Sequence, residues 1–395
     1  MKILVVSQHY YPENFRITDI CETLVTMGHQ VDVICGLPNY PEGVILADYK
    51  KRKNKEQVIN GVNIHRCFEI GRGNSKIKLF MNYYSVCLSM KKKAKKLKEK
   101  FDIVLINQLS PVMVSWAGIA YAKKHKVPCI MYCYDLWPDS LAAGGIGKNN
   151  PIFKYYYKVS NKCYKQVDKI MVTSKSFIDY FENYHKIPKE KLEYLPQYCE
   201  DIFEENNSNQ KEDKNHFDFV FAGNIGKMQS VETIIKAANE IKNDETIKIH
   251  IVGSGSNLDN CRKMVEEYGL KNVIFYGRRP LEEMPKFYQM ADAMLVTLVK
   301  NDIISKTLPG KVQSYMAAGK PIIGCIDGEA QIIIDEAKCG MYCDAEDYMG
   351  LSKLLIDFKT KDIKEFSNKS YQYYKDNFSK DLFFQKIISE MENNL

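Results

Sequence analysis

Short runs of apolar, mostly β-branched residues recur through the first half of the chain, at 3–7, 31–35, 62–67, 103–106, 129–133 and 169–173. The stretches between them are longer and amphipathic, such as 17–27, which stops at Gly28, and 112–124, which stops before Pro128. A strand that is apolar throughout, instead of alternating, belongs to a sheet covered on both faces, so this rhythm predicts βαβ units around a parallel sheet. Residues 204–215, EENNSNQKEDKN, hold no apolar residue and interrupt the rhythm. It restarts with runs at 217–222, 247–252, 273–276, 293–299, 321–325 and 340–343. The predicted fold class is therefore α/β with two doubly wound, Rossmann-like domains, the first over 1–200 and the second over 217–371, joined by a linker at 201–216. No repeat of fixed period appears, which excludes a solenoid. Ligands of doubly wound sheets lie at the C-terminal ends of the strands, and a cleft between two such domains suits a substrate larger than one metabolite.

Composition adds little until it is divided. Apolar residues form 45% and charged residues 27% of the 395, ordinary values for a chain that folds by burial. The net charge of +7 hides an asymmetry, with 31 basic against 18 acidic residues over 1–200 and 25 against 31 beyond. The first half therefore suits an anionic surface or partner. Twelve cysteines lie scattered without a C-x-x-C, and the N-terminal apolar run is too short for a secretory leader, so reduced core thiols in a cytoplasmic protein are expected. The longest mostly apolar run, 112–122, falls well short of a membrane span. Residues 77–100 place Phe80, Tyr83, Tyr84, Cys87 and Leu88 at helical spacing and carry seven lysines among the last ten positions. Such a helix suits an anionic membrane surface, or packs on the core with its lysines solvated. No nucleic-acid motif accompanies it.

The candidate chemistry sits in loops that follow predicted strands. The segment after the first run brings His9, Glu13 and Asn14 toward the cleft side, although a turn fixed by Pro12 is the plainer account. After the fifth run come Asp135, suited to sugar hydroxyls, and Trp137, suited to stacking on a sugar face or to filling the interdomain surface. Gly223, Asn224, Lys227 and Gln229 follow the first strand of the second half, and Gly253 and Gly255 follow the next. Glycines let a backbone approach phosphate, and the N-terminus of the following helix offers free N–H groups. Arg278 and Arg279 stand where backbone groups can read a nucleotide base, or are simply solvated. In DIISKTLPGKVQSYMAAGKP, Leu308, Pro309 and Gly310 precede a helix with Lys311 in its first turn, so Lys306 and Lys311 form a diphosphate clamp with the helix N–H groups. Glu329 opens a later helix and reads either as a partner of the helix dipole or as a contact to a donor sugar. P-loop, H-E-x-x-H, G-x-S-x-G and dinucleotide-type glycine motifs are absent, which argues against P-loop phosphotransfer, zinc proteolysis and serine hydrolysis.

Taken together, several segments resemble the two-domain GT-B glycosyltransferases of the retaining GT4 type, and within them bacterial surface-polysaccharide transferases similar to the N-acetylfucosaminyl transferase group. The segments are Tyr11-Pro12-Glu13, Gly28-His29, Leu37 through Gly43 (LPNYPEG), Asp135 through Ser140 (DLWPDS), Phe221 through Asn224 (FAGN), Gly277 through Pro280 (GRRP) and Pro309 through Pro321. The resemblance implies a UDP-sugar donor held by the second domain and an acceptor against the basic first domain. It also implies a last helix, about 372–395, packed back on the first domain. Two charge signatures depart from the family pattern. Asn224 and Gln229 stand where an arginine and a lysine are usual, with Lys227 as a substitute, and Lys306 and Ser314 stand where a pair of glutamates is usual. Lys306 and Lys311 are then expected to neutralise the diphosphate, with Asp135 and Glu329 completing the catalytic set, no metal and no cofactor beyond the donor itself. The expected activity is transfer of an N-acetylated hexosamine or deoxyhexosamine from UDP to an undecaprenyl-diphosphate-linked glycan, by a peripheral protein at the inner face of the plasma membrane, in capsule, O-antigen or exopolysaccharide synthesis. A UDP-sugar epimerase and an inactive nucleotide-binding scaffold are the alternatives.

Overall fold

The computed structural model describes residues 1–73, 75–143, 145–205 and 216–395. Most of the expected linker, 206–215, lies outside them, and its first residues form a short helix, Asp201–Glu205, whose Phe203 is buried. The chain divides into two compact units, one made of 1–173, 177–195 and 387–395, the other of 174–176 and 196–386.

The first unit is built on eight strands: β1 (Lys2–Val6), β2 (Gln30–Cys35), β3 (Glu56–Ile59), β4 (Val62–Arg66), β5 (Ile103–Gln108), β6 (Cys129–Cys133), β7 (Lys169–Val172) and β8 (Leu192–Tyr194). Their order is β3-β4-β2-β1-β5-β6-β7-β8, parallel except for β3 against β4. Every residue of β5 and β6 is buried, as a sheet covered on both faces requires. The edge strand β3 escaped the hydrophobic pattern because its residues alternate between exposed and half-buried, with Glu56 and Gln57 opening it, the usual polar dressing of an edge. The chain leaves β1 toward β2 on one side and returns at β5 on the other, so the switch point of this sheet lies at the ends of β1 and β5.

The helix Lys76–Lys96 opens at Ser75, whose hydroxyl accepts the N–H of Lys78, and packs through Val86, Met90 and Ala94. The single aromatic face expected of it is divided in two. Cys87 is fully buried, whereas Phe80 and Leu88 are exposed beside Ile77 and Met81. Lys98 and Lys100 fall beyond the helix end.

The second unit has six parallel strands, β9 (Phe217–Ala222), β10 (Ile247–Val252), β11 (Val273–Gly277), β12 (Ala293–Thr297), β13 (Ile322–Cys325) and β14 (Gly340–Cys343), in the order β11-β10-β9-β12-β13-β14. Its switch point lies between β9 and β12. The C-terminal segment forms two helices, Ile363–Asn377 and Lys380–Asn393. Tyr374 and Phe378 belong to a hydrophobic core of this unit, and only 387–395 group with the first unit. All twelve cysteines are free, and only Cys343 is not fully buried.

Candidate active site

In the second unit Gly223, Gln229 and Lys311 come together at the switch point. Lys311 occupies the first turn of the helix Gly310–Ala317 and reaches back to the end of β9. Its Nζ donates to Gln229 Oε1 at 2.7 Å and lies 4.0 Å from the centroid of the Phe221 ring. A Cβ placed on Gly223 would sit 3.3 Å from the same nitrogen. No carboxylate lies within ion-pair distance of it among the described residues. Burial alone pushes its pKa down from 10.5 to about 7. One amide oxygen and one ring face do not replace the water an ammonium loses, so the site is short of negative charge. The helix beside it begins at Pro309 without a side-chain cap, so no side chain there takes up its first N–H groups, and the space where a Cβ on Gly310 would stand is open. A half-buried cation without a carboxylate partner and an uncapped helix start lie side by side here, an arrangement that suits an anion.

Other predicted residues of this unit have different tasks. Gly253 and Gly255 serve loop packing: a Cβ on Gly253, at φ +146°, would lie 1.8 Å from the Gly223 carbonyl oxygen, and one on Gly255 would lie 2.4 Å from that of Ile225. Gly253→Ala is therefore expected to abolish soluble folded protein in an expression and circular-dichroism comparison, since neither backbone segment can yield. Asn224 and Lys227 are exposed on the rim of the same loop. Leu308 is buried and anchors the loop ahead of Lys311. Lys306 is half-buried on that loop, its carbonyl accepting the Ser174 hydroxyl. Ser314 is closed to a ligand, its hydroxyl donating to the Lys311 carbonyl at 3.1 Å and lying 3.3 Å from the Tyr288 hydroxyl. Arg278 and Arg279 are exposed after the edge strand β11, where Arg279 folds back on the Tyr276 carbonyl at 3.1 Å.

Glu329, expected to contact the donor sugar, is held elsewhere. Its side chain is buried, with one oxygen accepting the Lys175 N–H at 2.7 Å and the other accepting the N–H of Ser176 at 3.0 Å as well as its hydroxyl. Both carboxylate oxygens are engaged in tethering that segment.

In the first unit, the loop after β1 is a built network and not only a turn. His9 Nδ1 lies 2.9 Å from Glu13 Oε2, and Glu13 Oε1 accepts the N–H groups of Asn39 at 2.8 Å and Tyr40 at 2.7 Å. The imidazole stacks on Phe15 with ring centroids 4.6 Å apart, and Asn14 is exposed beside it. After β6, Asp135 Oδ2 accepts the Ser110 hydroxyl at 2.8 Å, and burial raises its pKa. Trp137 does not present a stacking face. It is 1% exposed, donates to Ser110 Oγ at 2.8 Å and meets Tyr156 edge-on, because the apolar ring is worth more in the core than at a wet rim.

One residue went unpredicted. Glu69, three positions past β4, is buried with its oxygens accepting the Gln8 amide at 2.8 Å, the Asn82 amide at 2.6 Å and the Leu37 N–H at 3.0 Å. Burial lifts its carboxyl to about 7. The available signal was that it is the only acid between Glu56 and Glu99, in a stretch dominated by lysine and arginine.

Comparison with known proteins agrees with this layout. Residues 15–197 match the family described as Glycosyltransferase Family 4, and residues 202–377 match Glycosyl transferases group 1. WbjE of Pseudomonas aeruginosa, named as a probable glycosyltransferase, is 24% identical over 269 residues, covering 66% of this chain and 67% of that one. WcaI of Escherichia coli (strain K12), named as a colanic acid biosynthesis glycosyl transferase, is 24% identical over 342 residues, covering 81% and 82%. The structure of Anabaena HepE in complex with UDP shares the fold with a TM-score of 0.73 at 11% identity over 100% of both chains. With both halves matched and two Rossmann-like α/β units in place, the chain is a GT4-type glycosyltransferase of the GT-B fold.

Proposed function

We propose that this enzyme transfers an N-acetylated hexosamine or deoxyhexosamine from UDP to an undecaprenyl-diphosphate-linked glycan, with retention and without a metal, in the synthesis of a bacterial surface polysaccharide. The observation that carries the donor assignment is Lys311, a half-buried ammonium with no acid beside it, at an uncapped helix start. A diphosphate supplies the negative charge this site lacks. The complex of HepE with UDP, and the naming of WcaI for colanic acid biosynthesis, support the donor and the polysaccharide setting.

In the reaction, the bond from the anomeric carbon to the diphosphate oxygen breaks as the acceptor oxygen bonds to the same face. The acceptor's proton passes to the departing diphosphate oxygen, so no side-chain base is required. Lys311 and the N–H groups of Gly310 and Lys311 lower the barrier by meeting charge that grows on the leaving group. The acceptor lies against the first unit, whose helix Lys76–Lys96 faces an anionic bilayer with Ile77, Phe80, Met81 and Leu88 exposed among lysines. Each lysine near acidic lipid contributes about 1 kcal/mol. No described helix is long and apolar enough to cross a membrane.

Calorimetric titration with UDP, GDP and ADP, each with magnesium and with EDTA, tests the donor assignment. UDP is expected to bind tightest and equally well under both conditions. Preference for another nucleotide, or binding that needs magnesium, would overturn it.

A further inference from the structure

The first unit contains a cavity of about 390 Å³ that none of the expected site residues lines, within the range of roughly 300–1,000 Å³ typical of small-molecule pockets. Its wall joins the end of β4 to the segment 37–55. Leu37, Ile45, Tyr49 and Phe68 make most of it apolar, and Phe68 is 64% exposed, a large ring left in water. Lys50, Lys51 and Lys55 also line it. All three are exposed, and none makes an ion pair among the described residues. Lys51 stands at φ +53°, a left-handed conformation unusual for a lysine, which breaks the local helix and turns two successive cations outward.

A fourth cation is fixed in place. Arg66 donates to the Tyr11 carbonyl at 2.6 Å and to Gln57 at 3.0 Å, and lies 4.6 Å from the centroid of the Tyr49 ring. It has no carboxylate partner among the described residues and is buried, so it adds positive potential to the wall without reaching into solvent. The one acid in the wall, Glu69, already accepts three donors. The loop is not slack. Gly73 donates to the Gly43 carbonyl at 2.9 Å and the Arg72 N–H to Asn39 Oδ1 at 3.2 Å, which pins 39–43 against 72–73.

An apolar chamber with unpaired cations at one side is the complement of an amphiphile with an anionic head. We propose that this cavity binds the diphosphate-bearing end of the polyprenyl acceptor, its first isoprene units against Leu37, Ile45, Tyr49 and Phe68 and its phosphates against Lys50, Lys51 and Lys55. This deepens the acceptor assignment made above and rests on it. It also gives the LPNYPEG segment a task, that of carrying Leu37 and leading to Ile45 in the chamber wall.

The test is titration of the full chain with farnesyl diphosphate, farnesol, inorganic diphosphate and phosphatidylglycerol vesicles. It is repeated on a Lys50→Gln/Lys51→Gln/Lys55→Gln variant and on Phe68→Ser, all exposed positions at which the fold tolerates change. Farnesyl diphosphate is expected to bind about tenfold or more tighter than farnesol or inorganic diphosphate, and the triple variant to lose about tenfold of that affinity, the scale of lost charge-assisted contacts. Phe68→Ser should weaken farnesyl diphosphate binding severalfold and leave inorganic diphosphate unchanged. Equal affinity in wild type and triple variant overturns the proposal. So does inorganic diphosphate binding as tightly as the prenyl compound, which would mark a plain phosphate site, or binding to vesicles alone, which would mark a general membrane surface. UDP affinity measured on the same samples separates the two readings. No prenyl binding by the unmodified chain with UDP still bound sinks the cavity assignment alone, whereas lysine-dependent prenyl binding without UDP binding sinks the donor assignment.

Discussion

Lys311→Met is expected to weaken UDP binding by one to two orders of magnitude and, at the same time, to raise the melting temperature of the ligand-free protein by a few degrees. The first effect follows from losing a charge-assisted contact, about 1.5–3 kcal/mol. The second follows from the apo geometry: Lys311 is half-buried against one amide oxygen and the Phe221 ring with no carboxylate partner, and a thioether of similar length satisfies that environment better than an ammonium. Its folded pKa, about 7, lies below the unfolded 10.5, so between those values the unfolded chain binds more protons and stability rises with pH. The methionine variant should lack that rise. Binding runs the opposite way. Only the protonated amine holds the diphosphate, so UDP affinity should fall as pH climbs above about 7, by up to about tenfold per unit, and this slope should vanish in Lys311→Met, where only the titration of UDP itself remains. Calorimetry with UDP from pH 6 to 9, beside thermal melts of both proteins, reads all of this. Unchanged UDP affinity in the variant removes Lys311 from the donor site.

Glu329→Ala should destabilise the protein by up to about 3 kcal/mol, since removing the carboxylate strands three partly buried donors, each worth about 1 kcal/mol when unsatisfied. For a unit of this size that lowers the melting temperature by roughly 6–12 °C. Those donors are the N–H groups of Lys175 and Ser176 and the Ser176 hydroxyl. At a temperature where the variant remains folded, its turnover should stay within about threefold of wild type, because both oxygens of this carboxylate, which the sequence left open between a helix-dipole partner and a donor-sugar contact, are engaged within the protein. An unchanged melting temperature combined with turnover reduced by orders of magnitude would reinstate the catalytic role.

Glu329 and Lys311 also mark where sequence reading stops. Both were legible as residues at helix starts after strands, because a strand, a loop and a helix in succession are local, short-range matters. What each does was not legible. Glu329 meets Lys175 from 154 positions away, and Lys311 meets Gln229 from 82. The same separation hid Glu69, whose partner Gln8 lies 61 positions earlier, while Trp137, open in sequence between stacking on a sugar and burial, is buried edge-on against Tyr156.

The sequence by itself determined the architecture. Short β-branched apolar runs read as strands covered on both faces, and their alternation with amphipathic stretches makes two parallel sheets, so the ends of those strands were known as the place for chemistry. The tertiary structure alone decided which charges there are satisfied and which are left for a substrate. A carboxylate that already holds three donors and an ammonium that holds none of opposite charge look alike in sequence, because a side chain's partners are set by contacts between segments far apart along the chain, and the energy of a buried charge depends on those partners.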